Sequence, residues 1–168
     1  MLRELHDELG IPDDYGREGG PPEFEEALDL VDIGPNLVGR MQRLTPACSE
    51  SWQAMAEAAT ADGVILMIVS GFRSVEYQAQ LIRKKINAGQ EIAAILEVNA
   101  APGYSEHHTG LAVDIATPGS RPLTEEFEAT AAFQWLGENA GRFGFSMSYP
   151  RSNPWGFIYE PWHWSKKG

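Results

Sequence analysis

Cysteine and basic side chains are scarce in this sequence. Cys48 is the only cysteine among 168 residues, so no disulfide can form within the chain and cysteine pairing does not indicate a compartment. Lysine and arginine together number 13 against 24 aspartates and glutamates, which gives a formal net charge of −11. Nucleic-acid-binding proteins need basic surface, and this balance argues against that class.

Long hydrophobic runs are also missing. No apolar run approaches the ~20 residues that a membrane-spanning helix needs. The first residues, Met-Leu-Arg-Glu-Leu-His-Asp-Glu, lack the apolar segment of a secretory signal peptide. Two expectations remain open at this point: a cytoplasmic protein, or one whose leader is missing from this chain.

The length suits one domain with one core, and composition divides the chain. Acidic residues are concentrated in the first third, where we predict an acidic N-terminal arm over residues 1–40, followed by the functional domain over residues 41–168. Within the arm, residues 1–24 are expected to be irregular or partly mobile, with one short helix near the start. Residues 25–45 fit either a short strand or helical turns.

Hydrophobic periodicity predicts a mixed α+β fold, a small sheet with helices packed against it. Helices are predicted over residues 49–61, 75–89, 91–99 and 124–141, with Ser74 and Thr124 as N-caps. Strands are predicted over residues 64–69, 111–116, 143–149 and 156–164. The aliphatic run at 64–69 favours a central strand buried on both faces, whereas the alternation at 111–116 favours a half-buried strand.

The stretch from Ser105 to Asp114 is typical of a tight polar loop that runs into a strand. His107 and Asp114 carry side chains that bind zinc. A catalytic zinc has three protein ligands and one open position, and His163 near the end of the chain can supply the third ligand. His108 competes with His107 for this role, and one of the two is expected to bind the metal.

Glu160 stands three residues before His163, in the run Glu-Pro-Trp-His. A carboxylate there can take a proton from water and return it to a leaving amine. Residues i and i+3 of a regular strand face opposite ways, so these two converge only if the strand is distorted between them. Pro161 cannot donate to a strand ladder, and we predict an irregularity at 161–162. The alternative is a surface acid beside core tryptophans.

The run Ser-Gly-Phe-Arg-Ser at residues 70–74 leaves the aliphatic strand and enters a helix. Arg73 at this junction can hold an anionic substrate group or the oxyanion of a tetrahedral intermediate. Gln78 lies one helical turn beyond Ser74 and can face the same cleft. The alternative is a surface arginine paired with an acid.

These stretches occur together, in the order SGFRS with Gln78, SEHHTGLAVD and YEPWHW. In this combination the sequence resembles the zinc D,D-carboxypeptidases of the VanY type, within the wider group of LAS metallopeptidases. The resemblance implies a LAS/hedgehog-like fold, with a zinc site in a cleft on a small, mostly antiparallel sheet. It also makes residues 41–168 the zinc carboxypeptidase domain.

The same resemblance implies a role for each matching residue. His107, Asp114 and His163 would bind Zn2+, and Glu160 would be the general base. Arg73 would steady the scissile carbonyl oxygen. Substrate-pocket roles are implied for four further residues: Gln78, Ser105, Tyr149 and Trp162.

The chain departs from the family pattern in three places. Phe72 stands where tyrosine is frequent, Ser-Lys-Lys-Gly follows Trp164 in place of an arginine and aromatics, and the loop at 150–155 is short. These departures leave the metal chemistry intact and bear on the specificity of the pocket.

The resemblance implies hydrolysis of a terminal D-alanine from a peptidoglycan stem peptide or precursor. Because this substrate lies outside the cytoplasm, we expect an enzyme of the periplasm or cell envelope, and we expect a monomer. Three related activities stay open: an L,D-carboxypeptidase, a D-Ala-D-Ala dipeptidase, and an endopeptidase that cuts within the stem peptide. Outside the enzymes, the alternative is a non-catalytic cell-wall-binding domain on the same fold.

Overall fold

The strands form two separate sheets in the computed structural model, which describes residues 1–167. A hairpin consists of β1 (Val31–Pro35) and β2 (Met41–Leu44). The larger sheet has the spatial order β3-β4-β6-β5. Its strands are β3 (Met67–Ser70), β4 (Ala112–Ala116), β5 (Phe145–Met147) and β6 (His163–Lys166).

Residues 1–167 also contain five α-helices: α1 (Leu2–Leu9), α2 (Pro46–Ala61), α3 (Val75–Asn87), α4 (Ile92–Val98) and α5 (Ala131–Asn139). Every strand pairing between residues 1 and 167 is antiparallel. The predicted α+β class is therefore confirmed. Over the same residues, no helix combines the length and the apolar character that crossing a bilayer requires.

Side-chain caps set where α2 and α3 begin. The Thr45 hydroxyl accepts a hydrogen bond from the backbone N–H of Cys48, and Pro46 takes the first helical position, where its missing N–H costs nothing. Thus α2 starts before the predicted residue 49. The Ser74 hydroxyl accepts from the N–H of Tyr77 at 3.0 Å, which confirms the cap predicted for α3.

The predicted helix over residues 124–141 was wrong as a single element. Its place is taken by a 3-10 segment (Glu125–Ala129), α5, and a second 3-10 segment (Ala140–Phe143). Thr130 restarts the helix, because its hydroxyl accepts a hydrogen bond from Phe133 N–H at 3.1 Å. The Thr124 side chain makes no such cap.

Two burial predictions were also wrong. The aliphatic run at 64–69 supplies β3, which lies at an edge of the larger sheet, and Ile65 is 53% exposed. By contrast, β4 lies inside the sheet between β3 and β6, and all five of its residues are buried. A continuous hydrophobic run therefore fixes neither the burial of every side chain in it nor the position of its strand in the sheet.

The last strand is shorter than predicted. It begins at His163 rather than at residue 156, and residues 161–162 form a turn. The predicted irregularity at 161–162 is confirmed by this turn, which the His163 N–H closes by donating to the Glu160 carbonyl at 3.2 Å. Glu160 and His163 therefore lie on opposite ends of one tight turn.

The start of the chain contains the expected short helix, α1. Leu9 and Ile11 are buried in an apolar cluster with Ala79, Ile82 and Ile95 of α3 and α4. Of the two interpretations left open for residues 25–45, the strand is correct, and this region forms the β1–β2 hairpin. Three bonds then tie the N-terminal segment to one loop: His6 Nε2 to Pro102 O, Ala101 N–H to the Tyr15 hydroxyl, and Phe24 N–H to Gly103 O.

Candidate metal centre

His107, Asp114 and His163 meet at the middle of the larger sheet. One ligand-type atom from each lies within 4.8 Å of the others, and all three side chains are buried. Asp114 and His163 are direct partners in the β4–β6 register. His107 comes from the 3-10 turn Glu106–Thr109, which the Ser105 hydroxyl begins by accepting from His107 N–H at 3.3 Å.

The ring of His107 is fixed by the backbone. Its Nδ1 lies 2.7 Å from the carbonyl oxygen of Gly71, which can only accept, so Nδ1 carries the proton. Burial and the charge of Arg73 lower the pKa of His107 to about 4, even though Asp114 opposes them. The neutral ring then presents the Nε2 lone pair to Asp114 Oδ2 at 3.2 Å. Two acceptors at this distance repel each other, and a cation bound between them would remove the repulsion.

His163 lies between two carboxylates. Its Nδ1 is 2.9 Å from Asp114 Oδ1, and its Nε2 is 2.8 Å from Glu106 Oε2. Burial alone would lower the pKa of His163, but the hydrogen bonds and charges of Asp114 and Glu106 outweigh it and raise the pKa to about 10. Burial alone would raise the pKa of Asp114, but the contacts with His107 and then those with His163 hold it below its usual range.

The donor set fits a divalent ion of the zinc class. Two imidazole nitrogens and one carboxylate are common ligands of catalytic zinc, and donors ~2.1 Å from a tetrahedral ion lie ~3.4 Å apart. One ligand atom from each of the three residues lies within 4.8 Å of the others, a range that small movements of the side chains would bring to this spacing. The Nδ1 position of His163 would face the ion, and Glu106 would keep the proton on Nε2.

His108 makes a different set of contacts from its neighbour. Its Nδ1 is 2.7 Å from the carbonyl of Arg73, and its Nε2 accepts the N–H of Gly103 at 3.0 Å. Both ring nitrogens are therefore engaged by backbone groups. Of the two candidate histidines, His107 lies in the cluster, whereas the ring nitrogens of His108 contact backbone groups away from it.

Glu160 borders the cluster from the far end of the 161–162 turn. Its Oε2 lies 3.9 Å from His163 Nδ1, and its backbone N–H donates to the Tyr149 carbonyl at 3.0 Å. Burial raises the pKa of Glu160 to about 7, and the charge of Asp114 adds to this while His163 and Arg73 partly offset it. A carboxyl group with this pKa can exchange a proton near neutral pH.

A cleft opens onto the cluster and contains most of the remaining predicted site residues. Arg73, Ser105, Tyr149 and Trp162 all line it. Gln78 is fully buried and donates to the carbonyl of Ala100, a residue of the cleft wall, at 2.8 Å. Arg73 Nε and Gln78 Oε1 are buried without a hydrogen-bond partner among the described residues, which leaves capacity for a ligand.

Two polar residues near the cluster were missed by sequence reasoning. Glu106 accepts from the Ser148 hydroxyl at 2.7 Å as well as contacting His163, so it is held from two sides. Its position directly before His107 was the available signal, since metal-bound histidines usually donate to a carboxylate or carbonyl. Lys85 lines the cleft from α3, and nothing in the local sequence marks it.

Comparison with known proteins gives concordant results. A family model described as VanY, D-alanyl-D-alanine carboxypeptidase, matches residues 41–168. A D-alanyl-D-alanine carboxypeptidase of Enterococcus faecalis is 34% identical over 158 residues; the match covers 88% of this chain and 54% of that protein, so the chain spans about half of its relative.

Two solved structures share the fold. The LdcB LD-carboxypeptidase superposes with a TM-score of 0.74 at 33% identity, over 86% of this chain and 71% of that chain. A mutant of the vancomycin resistance D,D-pentapeptidase VanY, in complex with Zn(II), superposes with a TM-score of 0.67 at 31% identity, over 90% and 85% of the two chains.

Proposed function

Because the chain belongs to the VanY family of D-alanyl-D-alanine carboxypeptidases, we propose that it is a zinc metallopeptidase that removes the C-terminal D-alanine from peptidoglycan stem peptides or precursors. The observation that carries the proposal is the buried cluster of His107, Asp114 and His163 beside Glu160, at the floor of an open cleft. All of these residues lie in the proposed catalytic domain, residues 41–168. The acidic residues 1–40 are proposed to be an extension of that domain.

In this proposal His107 Nε2, Asp114 and His163 Nδ1 hold Zn2+, and Gly71 and Glu106 keep the two imidazoles in the required tautomers. When bound, zinc supplies Lewis acidity, which polarises a carbonyl group and makes water more acidic.

Glu160 moves the proton. Its carboxylate takes a proton from the attacking water and gives it to the nitrogen of the leaving D-alanine, so that a carboxylate and an amine replace the peptide bond. The raised pKa of Glu160, about 7, suits a group that must both accept and donate near neutrality. Arg73 donates to the scissile carbonyl oxygen, where negative charge develops.

The cleft walls orient the peptide. Ser105 begins the turn that carries His107, the Tyr149 ring lies 4.6 Å from the His163 ring, and Trp162 follows the proline of the 161–162 turn. These three residues, with Gln78 behind Ala100, are proposed to form the substrate pocket.

The test is D-alanine release from a stem pentapeptide by the zinc-loaded protein and by Glu160→Gln. We expect the variant to keep one zinc per chain by elemental analysis and to lose about 100- to 10,000-fold in kcat, the usual range for a removed general acid–base. His163→Ala is expected to lose the metal as well. A Glu160→Gln variant with full turnover would remove Glu160 from this role.

An L,D-carboxypeptidase is the second candidate, favoured by the structural likeness to LdcB. Side-by-side assays of a stem tetrapeptide, a pentapeptide and the D-Ala-D-Ala dipeptide distinguish these activities, and they also test the dipeptidase. Binding of all three without hydrolysis in zinc-containing buffer would instead support a non-catalytic wall-binding domain.

A peptidoglycan substrate supports action outside the cytoplasm, and we propose the cell envelope as the location. Mass spectrometry of the N-terminus of the native protein tests this, since a processed N-terminus is expected of an exported enzyme. A monomer is proposed, and light scattering of the zinc-loaded protein tests it.

A further inference from the structure

Two cationic side chains face the cleft, and one of them has no role in the proposed reaction. Arg73 and Lys85 both line the cleft that leads to the metal centre. Across residues 1–167, neither is within 4.0 Å of a carboxylate. In a chain with almost twice as many acidic as basic residues, two unpaired cations in one concave site indicate an anionic ligand.

Lys85 is oriented rather than free on the surface. It is half-buried on the third turn of α3, and its Nζ donates to Oδ1 of Asn99, the residue that ends α4. Asn99 also lines the cleft. An ammonium group has three N–H donors, and Asn99 takes one, so two remain for a ligand.

The electrostatic surroundings of Lys85 favour an anion at this place. Burial and the positive charge of Arg73 both lower the pKa of Lys85, and the charge of Glu160 partly offsets them. Lys85 is therefore close enough to both Arg73 and Glu160 for their charges to affect it. A carboxylate bound at Lys85 would stabilise its charged ammonium group against burial and against the repulsion from Arg73.

We propose that Lys85, held by Asn99, binds the free carboxylate of the terminal residue of the substrate and so selects the end of a peptide over an internal bond. This inference rests on the proposed carboxypeptidase function. The carboxylate of a terminal residue lies within ~4 Å of the scissile bond, one residue further along the chain. Arg73 would act on the carbonyl that is cleaved, and Lys85 on the carboxylate beyond it.

The experiment compares a stem pentapeptide with the same peptide carrying a C-terminal amide, on the zinc-loaded enzyme. We expect Lys85→Met to raise KM for the free acid by about 10- to 100-fold with kcat within about twofold, because one charge-assisted contact is lost. For the amide, the wild type and the variant should be equally poor. Lys85→Arg should recover part of the affinity, and Lys84→Met, an exposed neighbour on α3, should match the wild type.

A Lys85→Met variant that still discriminates acid from amide as the wild type does would overturn the proposal. Equilibrium binding of both peptides to the zinc-loaded proteins, measured by calorimetry, separates this failure from failure of the proposed function. If no peptide is hydrolysed, the carboxypeptidase function fails, and the acid–amide difference in affinity still decides the role of Lys85.

Discussion

His163 is the central residue of the candidate metal centre, because each of its two ring nitrogens contacts a carboxylate. Its Nδ1 contacts Asp114 and its Nε2 contacts Glu106, so we expect Nδ1 to bind the ion while Nε2 remains with Glu106. Glu106 is therefore expected to be a positioning residue: it selects the tautomer and holds the ring. The Ser148 hydroxyl, bonded in turn to Ser165 at 2.8 Å, keeps Glu106 in place.

Replacing Glu106 by glutamine should weaken zinc binding by about 10- to 100-fold, the usual effect of removing such a partner. The amide is uncharged and accepts the Nε2 proton less strongly. Competition with a chromophoric zinc chelator measures the affinity without reference to turnover. Glu50→Gln, an exposed acid on α2, is the control, and equal affinities for the two variants would contradict the role of Glu106.

Zinc binding should also release a proton at pH 8. His163 has a pKa of about 10 in the metal-free protein, so both nitrogens are protonated at this pH, and Nδ1 must lose its proton to bind the ion. Calorimetric titration in buffers of different ionisation enthalpy reports the number of protons released. We expect about one per zinc; a binding enthalpy that is the same in every buffer would show that Nδ1 was already free.

At the scale of elements, Gly71 joins the β1–β2 hairpin to the metal centre. Its N–H donates to the Gln42 side-chain oxygen at 2.9 Å, and its carbonyl accepts from His107 Nδ1. A Cβ at this position would lie 2.6 Å from the backbone oxygen of Arg43, which cannot move aside as a side chain can. The hairpin thus requires glycine at the point where β3 leads into α3.

Gly71→Ala should therefore lower the free energy of unfolding by about 1–3 kcal/mol, the usual cost of overpacking. It should also weaken zinc binding, since displacement of the Gly71 carbonyl releases His107. Urea denaturation and zinc titration measure the two effects. Gly137→Ala, in α5 with no atom near its added Cβ, serves as the control and should be neutral or stabilising.

The sequence predicted elements well where local chemistry decides them, and less well where distant packing does. The caps at Ser74 and the short helix α4 follow from neighbouring residues, and they were confirmed. The edge position of β3 depends on which strand pairs with β4, and the interruption before α5 depends on Thr130 winning over Thr124. The pairing of β3 is not encoded within a window of a few residues, whereas the Thr130 cap is a local signal that the prediction passed over in favour of Thr124.

The same division holds for the site. The sequence motifs predicted most of the residues that lie at the cleft, because the functional groups of each motif are contained in a few consecutive residues. Lys85 reaches the cleft only through the packing of α3 beside Asn99, and the bond from Glu106 to His163 joins residues 57 positions apart. Contacts of this kind arise from tertiary structure.

For the whole molecule, the metal centre makes stability depend on pH. In the metal-free protein, the raised pKa of His163 contributes stability that is fully present below its ordinary value of ~6.5 and is lost as pH rises through about 10. The lowered pKa of Asp114 acts in the other direction: its contribution is present above the ordinary value near ~4 and is lost in acid.

In the proposed site, zinc takes the place of the Nδ1 proton of His163. The zinc-loaded protein should therefore keep at alkaline pH the stability that the metal-free protein loses. We expect the difference in Tm between zinc-loaded and EDTA-treated protein to widen from pH 7 to pH 10. Scanning calorimetry at three pH values measures it. A difference that stays constant across this range would mean that His163 does not carry the extra proton.

The 161–162 turn has a further consequence for how the molecule tolerates motion. Since Glu160 and His163 are separated by a single closed turn, their spacing is a local property of four residues. That spacing is therefore set within the turn, and it does not depend directly on the positions of α3 or of the N-terminal segment. A movement of α3, which lines the cleft through Lys85, would change the shape of the cleft and leave the spacing of Glu160 and His163 unchanged.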